Sequence, residues 1–336
     1  MSYEKGVKVL SNGIERDGYL GMRGSKKIGD ISTPKRTLWS KICYYKWIYL
    51  MMLPGIIWFI MFRYVPMIGV GVAFRNFSFR NPFFGGDWVG LDNFRVIFSD
   101  PRFINVLRNT GIISVGRILF EFPVPILLAL LFNELRGKRH KRIIQTVFTF
   151  PHFISWVVAS GIIINLLQDG GAVNQLFLAF GGDRQYWLTS STAFRPLLHI
   201  TNNWKGMGWG TIIYLATISG IDSEQYEASL VDGANRFQRC IYITLPALFP
   251  VMGILLILSI ANLMNAGFDQ IINLYNPAVY DVADIIDTFI FRRTFMLGES
   301  FSVSTAFGLF KSVIGAFLLI TANQVVKKFN DGHGVF

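Results

Sequence analysis

The stretch EASLVDGANRFQRCIYITLP, Glu227 to Pro246, is a polar island between two long apolar segments. Tyr226 just before it, then Leu230, Ala234, Phe237 and Ile241, recur at three- and four-residue steps, which places them in one stripe on a helical surface. Gly233, after Asp232, interrupts the stripe. A glycine costs about 1 kcal/mol relative to alanine inside a helix and tolerates turn geometry. The pattern predicts two short helices joined at a bend. The second leads into the apolar segment that starts at Pro246, whose missing N–H suits a first helical turn. Such a bent pair can dock an apolar face on another protein or lie on a bilayer as an amphipathic loop, and stripe and charge alone leave both open.

Outside this stretch the chain is too apolar for a pair of soluble domains: 52% of its 336 residues are hydrophobic, 15% aromatic and 16% charged, with mean hydropathy +0.42. It reads as an all-α membrane protein. A helix crossing about 30 Å of hydrocarbon takes about 20 mostly apolar residues, because backbone groups find no water there. Six segments qualify, at about 47–72, 110–132, 143–167, 196–221, 246–267 and 303–326. Residues 1–46 form a basic arm without the apolar core of a secretory leader, so the first segment is expected to be retained. Residues 47–328 form the transmembrane domain, with the polar loop at 222–245, and residues 329–336 form a tail.

Charge placement sets the expected topology, since Lys and Arg near span ends are retained in the cytoplasm. The arm carries ten such residues within 1–46, among them Lys35, Arg36, Lys41 and Lys46. The turn after the second span adds Arg136, Lys138, Arg139, Lys141 and Arg142, the polar loop adds Arg236 and Arg239, and the tail adds Lys327 and Lys328. Both termini and loop 222–245 are therefore expected in the cytoplasm, and the stretches near 75–105, 168–195 and 268–302 outside. The net charge of +11 sits in the arm and inner turns, where anionic headgroups of membrane lipid are the expected partners and nucleic acid is not. Cys43 and Cys240 suggest neither a disulfide nor a zinc site, and His140, His152, His199 and His333 show no metal-binding spacing.

Glu227-Ala228-Ser229, Gly233 and Ile243-Thr244-Leu245-Pro246 resemble the cytoplasmic coupling loop of ABC importer permeases, with Ser229 in place of a second alanine as the departure. Further stretches resemble permeases of carbohydrate importers, closest to the oligosaccharide and polysaccharide subgroup. They are Trp88-Val89-Gly90-Leu91-Asp92-Asn93-Phe94, Trp204 to Trp209, Asn276 to Tyr280 and Ala306 to Ser312. The resemblance covers about residues 47–328. It implies a type I importer permease fold with six transmembrane helices in a bacterial cytoplasmic membrane, and it implies partners. These are a second homologous permease, with this chain resembling the first of the pair, two ATP-binding subunits, an extracytoplasmic solute-binding protein and a carbohydrate substrate. It assigns ATPase coupling to Glu227, Ala228, Ser229, Asp232, Gly233, Arg236, Leu245 and Pro246. No Gly-x-x-x-x-Gly-Lys-Ser/Thr loop occurs in the chain, so ATP and Mg are expected on the partner subunits. The chain itself is expected to bind no cofactor or metal and to catalyse nothing.

Charges at membrane depth are costly enough to mark function or internal pairing. Arg117 and Glu121 stand four apart and can pair near Pro123 and Pro125, which is read either as an ion pair shaping a kink or as pathway lining. Sugars offer hydroxyls to amides and C–H faces to aromatic rings. Trp204, Trp209, Asn262, Asn265, Asp269, Gln270 and Asn273 are therefore candidates for the substrate pathway, with interhelical hydrogen bonding as the competing reading of each amide. Arg117, Lys205 and Lys311 leave an acidic glycan open. The alternatives are an ABC permease for another solute, such as a glycerol phosphate ester or a peptide, and an ion-coupled secondary carrier. A carrier would leave the coupling loop unexplained and predicts a paired arrangement of broken helices that the sequence does not show.

Overall fold

The computed structural model describes residue 39 and residues 43–77, 86–135 and 137–329. Most of the arm 1–46 and of the tail 329–336 lies outside the described residues. So does Arg136. Among the described residues there is no strand, only an isolated bridge between Arg75 and Trp88.

Two units are present, one ending at Arg63 and one starting at Tyr64. In the first, α1 (Lys46–Phe59) carries Pro54 inside it, and a π turn, Ile60–Tyr64, follows at the boundary. The second opens with a 3-10 segment, Val65–Phe74, followed by α2 (Asp92–Ser99), α3 (Phe103–Gly116) and α4 (Pro123–Glu134), with a π turn at Arg117–Glu121 joining α3 to α4. Next come α5 (Lys138–Thr149), α6 (Trp156–Leu167), α7 (Ala172–Ala179) and the 29-residue α8 (Ser191–Ser219). The polar loop forms α9 (Ser223–Val231) and α10 (Arg236–Arg239), and α11 (Leu245–Ala261) follows a π turn. Short helices α12 (Phe268–Leu274), α13 (Tyr280–Ala283) and α14 (Ile286–Phe291) lead to α15 (Phe301–Phe329).

Among the described residues, five segments are long and apolar enough to cross a membrane: Lys46–Phe74, Phe103–Glu134, Trp156–Ala179, Arg236–Ala261 and Phe301–Lys328. The expected fourth span, 196–221, is the helix α8. It is long enough, but its run Thr201-Asn202-Asn203-Trp204-Lys205 makes it less apolar than the others. The expected third span, 143–167, is not one helix. Pro151 removes a backbone donor in the 3-10 turn Phe150–Phe153, and Ser155 caps a new helix by accepting from Val158 N at 3.3 Å. The expected fifth span, 246–267, ends early at Ala261, because Ala266 (φ 43) and Gly267 (φ 82) turn left-handed. A helix cannot continue through that geometry.

Three apolar clusters hold the second unit together. Ile113, Ile163, Phe194, Leu198 and Ile271 join α3, α6, α8 and α12. Phe103, Phe289 and Phe307 join α3, α14 and α15. Ile126, Phe132, Tyr214 and Leu248 join α4, α8 and α11, with Ile144 and Phe148 of α5 packed against them. At Gly208 the backbones of α5 and α8 approach so closely that a Cβ would overlap the Phe148 carbonyl.

The segments between spans are fastened by ion pairs. Asp100, half-buried just before α3, accepts from the Arg102 amide at 2.8 Å and pairs with Arg293, which also binds Glu299 at 2.6 Å. Burial pushes the Asp100 carboxyl up, but the hydrogen bonds from Arg102 and the charges of Arg102 and Arg293 outweigh it and hold the group below its ordinary value of 3.8. A carboxyl depressed on folding contributes stability that is complete above its unfolded pKa and is lost as pH falls through the folded one. The contact between residue 100 and residues 293–299 is therefore expected to loosen only below about pH 4. Hydrogen exchange across 97–103 and 291–299 checks this, and an equal response in Asp100→Asn would assign the acid sensitivity elsewhere.

Candidate functional site

The π turn Arg117–Glu121 sits in the middle of the α3–α4 span. One extra residue per turn takes its side chains off the regular helical register, and such turns recur at functional sites. Opposite it, α8 presents His199, Asn202, Asn203, Gly206 and Gly210 at three- and four-residue steps. Asn203 Nδ2 donates to the Phe120 carbonyl at 3.1 Å, and Thr211 Oγ1 to the Pro125 carbonyl at 3.2 Å, so α8 supplies donors to the backbone around the break.

Between these elements, α11 and the turn that follows it lies a cavity of about 600 Å³. Its polar wall is Ser114, Arg117, Glu121, Asn202, Asn203, Ser259, Asn262 and Asn265, and its apolar wall includes Ile118, Tyr214, Leu255 and Leu258. Asn265 Nδ2 donates to Asn262 Oδ1 at 3.1 Å, so the two amides stand side by side on the rim of the broken helix.

Glu121 is the hub of the polar wall. One carboxylate oxygen accepts from His199 Nδ1 at 2.7 Å; the other accepts from Asn202 Nδ2 and, at 3.4 Å, from Arg117 Nη1. Arg117 Nη2 donates to Gln270 Oε1, and Gln270 Nε2 donates in turn to the Leu198 carbonyl at 2.7 Å and to Thr201 Oγ1 at 2.8 Å. Two glycines make room for this network: a Cβ on Gly116 would overlap the His199 ring, and one on Gly267 would overlap the Arg117 guanidinium. The Arg117 and Glu121 side chains keep only 18% and 11% of their exposure, so neither charge is solvated on its own. The network ties the π turn, α8 and α12 together.

The structure sorts the residues picked out in the sequence. Arg117, Glu121, Asn262 and Asn265 line the cavity, and Gln270 is buried behind it as the link between Arg117 and α8. Trp204 and Trp209 are not on its wall, because the face of α8 that meets the cavity carries Asn202, Asn203, Gly206 and Gly210. Trp209 instead stacks on His152, with ring centres 4.6 Å apart. Asp269 and Asn273 lie past the left-handed turn on α12, where Asn273 Nδ2 caps the Asp269 carbonyl at 2.7 Å. Lys205 donates to the His152 carbonyl at 2.8 Å, and Lys311 pairs with Asp287 at 2.7 Å, so each is held by a neighbouring group. His199 lacks metal-binding spacing in the sequence and still belongs to the site. Its step of three to Asn202 was the available signal, but its partner Glu121 is 78 residues away in sequence.

The polar loop folds as two short helices about Gly233, at φ 76. Asp222 caps α9 by accepting from Glu224 N at 3.0 Å, and Asn235 and Gln238 form a reciprocal capping box on α10. Tyr226 OH lies 2.9 Å from Thr244 Oγ1 and ties α9 to the base of α11. Glu227, Ala228, Asp232, Gly233, Arg236 and Pro246 are exposed, while Ser229 and Leu245 are half-buried. Leu230, Val231 and Phe237 present apolar side chains outward, Val231 at 89% exposure. Large apolar groups therefore stand bare on an otherwise polar loop.

Residues 121–330 match the family described as the binding-protein-dependent transport system inner membrane component. The chain belongs to that family. As an inner membrane component it is a transport subunit and not an enzyme, and it works with a binding protein and further subunits of an ABC importer. It is 43% identical over 292 residues to Protein LplB of Bacillus subtilis (strain 168), covering 87% of this chain and 91% of that one. It is 41% identical over 298 residues to the polygalacturonan/rhamnogalacturonan transport system permease protein YteP of the same organism, covering 88% and 92%. The crystal structure of a bacterial ABC transporter involved in the import of the acidic polysaccharide alginate contains a chain that superposes with a TM-score of 0.81 at 37% identity, covering 88% of this chain and all of that one. The inner membrane component is thus an all-α permease with the importer fold.

Proposed function

We propose that this permease passes an oligosaccharide or polysaccharide across a bacterial cytoplasmic membrane by alternating access, and that the cavity beside Glu121 is part of the route. The observation that carries the proposal is the wall itself: the amides of Asn202, Asn203, Asn262 and Asn265 stand beside Tyr214 and aliphatic side chains. Amides exchange hydrogen bonds with hydroxyls, and aromatic and aliphatic faces cover sugar C–H groups. In this proposal the chain pairs with a second, homologous permease and two ATP-binding subunits, and receives its solute from an extracytoplasmic binding protein. Both termini and loop 222–245 face the cytoplasm. The exposed side of α9 and α10, with Glu227, Ala228, Gly233 and Phe237, seats on an ATP-binding subunit, and Leu245 and Pro246 carry its movement into α11.

An acidic saccharide is the more specific reading. The named cargo of the YteP and alginate relatives is acidic polysaccharide, and Arg117 brings a guanidinium to the wall of this cavity, held by Gln270 through Nη2 and by Glu121 at 3.4 Å through Nη1. Reconstituted importer, loaded with its cognate binding protein, is expected to take up oligogalacturonate or alginate oligomers in preference to malto-oligosaccharides. Uptake of neutral oligomers only would remove the acidic reading; uptake of no saccharide would remove the carbohydrate reading as well.

A further inference from the structure

The helix α5 has a charge arrangement that its own fold does not balance. Lys138, Arg139, Lys141 and Arg142 crowd its first turn and a half, with no acidic residue in that turn. The N-terminal end of a helix carries the positive end of its dipole, so cations there are destabilising unless an anion is nearby. Among the described residues none of the four forms an ion pair, and Glu134, four residues upstream, forms none with them.

The two sides of α5 differ. Ile144 and Phe148 point inward against the α4–α8–α11 cluster, with the Phe148 ring 5.6 Å from Phe132. On the other side lie Arg139 and Arg142 at the start, then Ile143 at 62% exposure, Val147 at 63% and Phe150 at 63% just past the end. At 1.5 Å per residue, the eleven steps from Arg139 to Phe150 span about 16 Å. The exposed side therefore passes from unpaired cations to bare apolar side chains over about the distance from lipid phosphate to upper acyl chain.

We infer that α5 carries a binding site for anionic phospholipid, in which Lys138, Arg139 and Arg142 hold the headgroup phosphate and Ile143, Val147 and Phe150 lie against its acyl chains. Charge complementarity selects this occupant over a protein surface: a phosphodiester supplies the anion that the helix start lacks, and the same molecule covers the apolar turns. A zwitterionic lipid offers the same chains with no net charge, so preference among lipids is set by the basic residues. The inference rests on the membrane placement of the chain and is independent of which solute it carries.

The test uses the assembled importer, purified in detergent, titrated with phosphatidylglycerol or phosphatidylcholine and read by native mass spectrometry. The wild type is expected to retain phosphatidylglycerol in preference to phosphatidylcholine. The triple variant Lys138→Gln/Arg139→Gln/Arg142→Gln is expected to bind it about a hundredfold more weakly, from roughly 1 kcal/mol for each of the three basic residues near a charged surface. Arg139→Lys/Arg142→Lys should keep the affinity, as should Lys327→Gln/Lys328→Gln at the far end of α15. A photocrosslinker at Val147 reports the occupant directly and should label lipid. Equal phosphatidylglycerol retention in wild type and triple variant, or labelling of another subunit at Val147, would overturn the assignment.

Discussion

Glu121→Ala is expected to cost the assembled importer about 3–5 kcal/mol, the range for removing one partner of a buried ion pair. The reason is the set of groups the carboxylate satisfies. Arg117, His199 and Asn202 all donate to it, and alanine would strand a guanidinium at 18% exposure with the Gln270 side-chain oxygen left as its acceptor. The loss should appear as a lower thermal midpoint of the purified complex and a smaller folded yield. Glu121→Gln should lose less, because an amide oxygen still accepts from one donor. Arg117→Met combined with Glu121→Leu should recover much of the stability, since removing both charges leaves no uncompensated one. A thermal midpoint unchanged by Glu121→Ala would show that the network is not holding the π turn, α8 and α12 together.

That network was only partly legible in the sequence. Arg117 and Glu121 stand four apart, and helical geometry alone makes them neighbours. The other three members were not accessible that way. His199 and Asn202 come from a helix about eighty residues later, and Gln270 from beyond the left-handed turn at Ala266 and Gly267, so their convergence depends on how α8 and α12 pack on α3 and α4. Trp204 and Trp209 are candidates on aromatic chemistry alone, which suits a sugar site, but which face of α8 meets the cavity is decided by where Gly210 lets Pro125 approach and where Gly208 lets α5 approach.

The second large effect is expected at the polar loop. Glu227→Ala should lower solute uptake at least about tenfold and abolish the stimulation of ATP hydrolysis by loaded binding protein, while insertion and thermal midpoint stay near wild type. Glu227 is exposed and holds no buried group, so its removal deletes a contact to a partner and not a support of the fold; truncating a charged interface residue can cost 2–5 kcal/mol of binding, more than enough for that loss. Gly233→Val should act by another route. No neighbouring atom lies within 4 Å of a Cβ there, but the backbone sits at φ 76, and a β-branched residue in left-handed geometry costs about 1–2 kcal/mol. The bend between α9 and α10 would relax and misplace Phe237. Uptake and stimulation measured on the same reconstituted preparation check both variants, and wild-type values in both assays would remove the loop from the coupling path.

The sequence by itself determined that this chain is a bundle of membrane-length helices with a bent polar loop between the last two long apolar segments but one, because hydropathy, glycine placement and capping residues act over a few neighbouring residues. Tertiary structure alone decided where the spans break and what meets at the cavity. Pro151 and the left-handed pair Ala266–Gly267 end helices that composition would have carried through. Glu121, His199 and Gln270 meet because a buried charge must find its donors wherever the packed helices bring them.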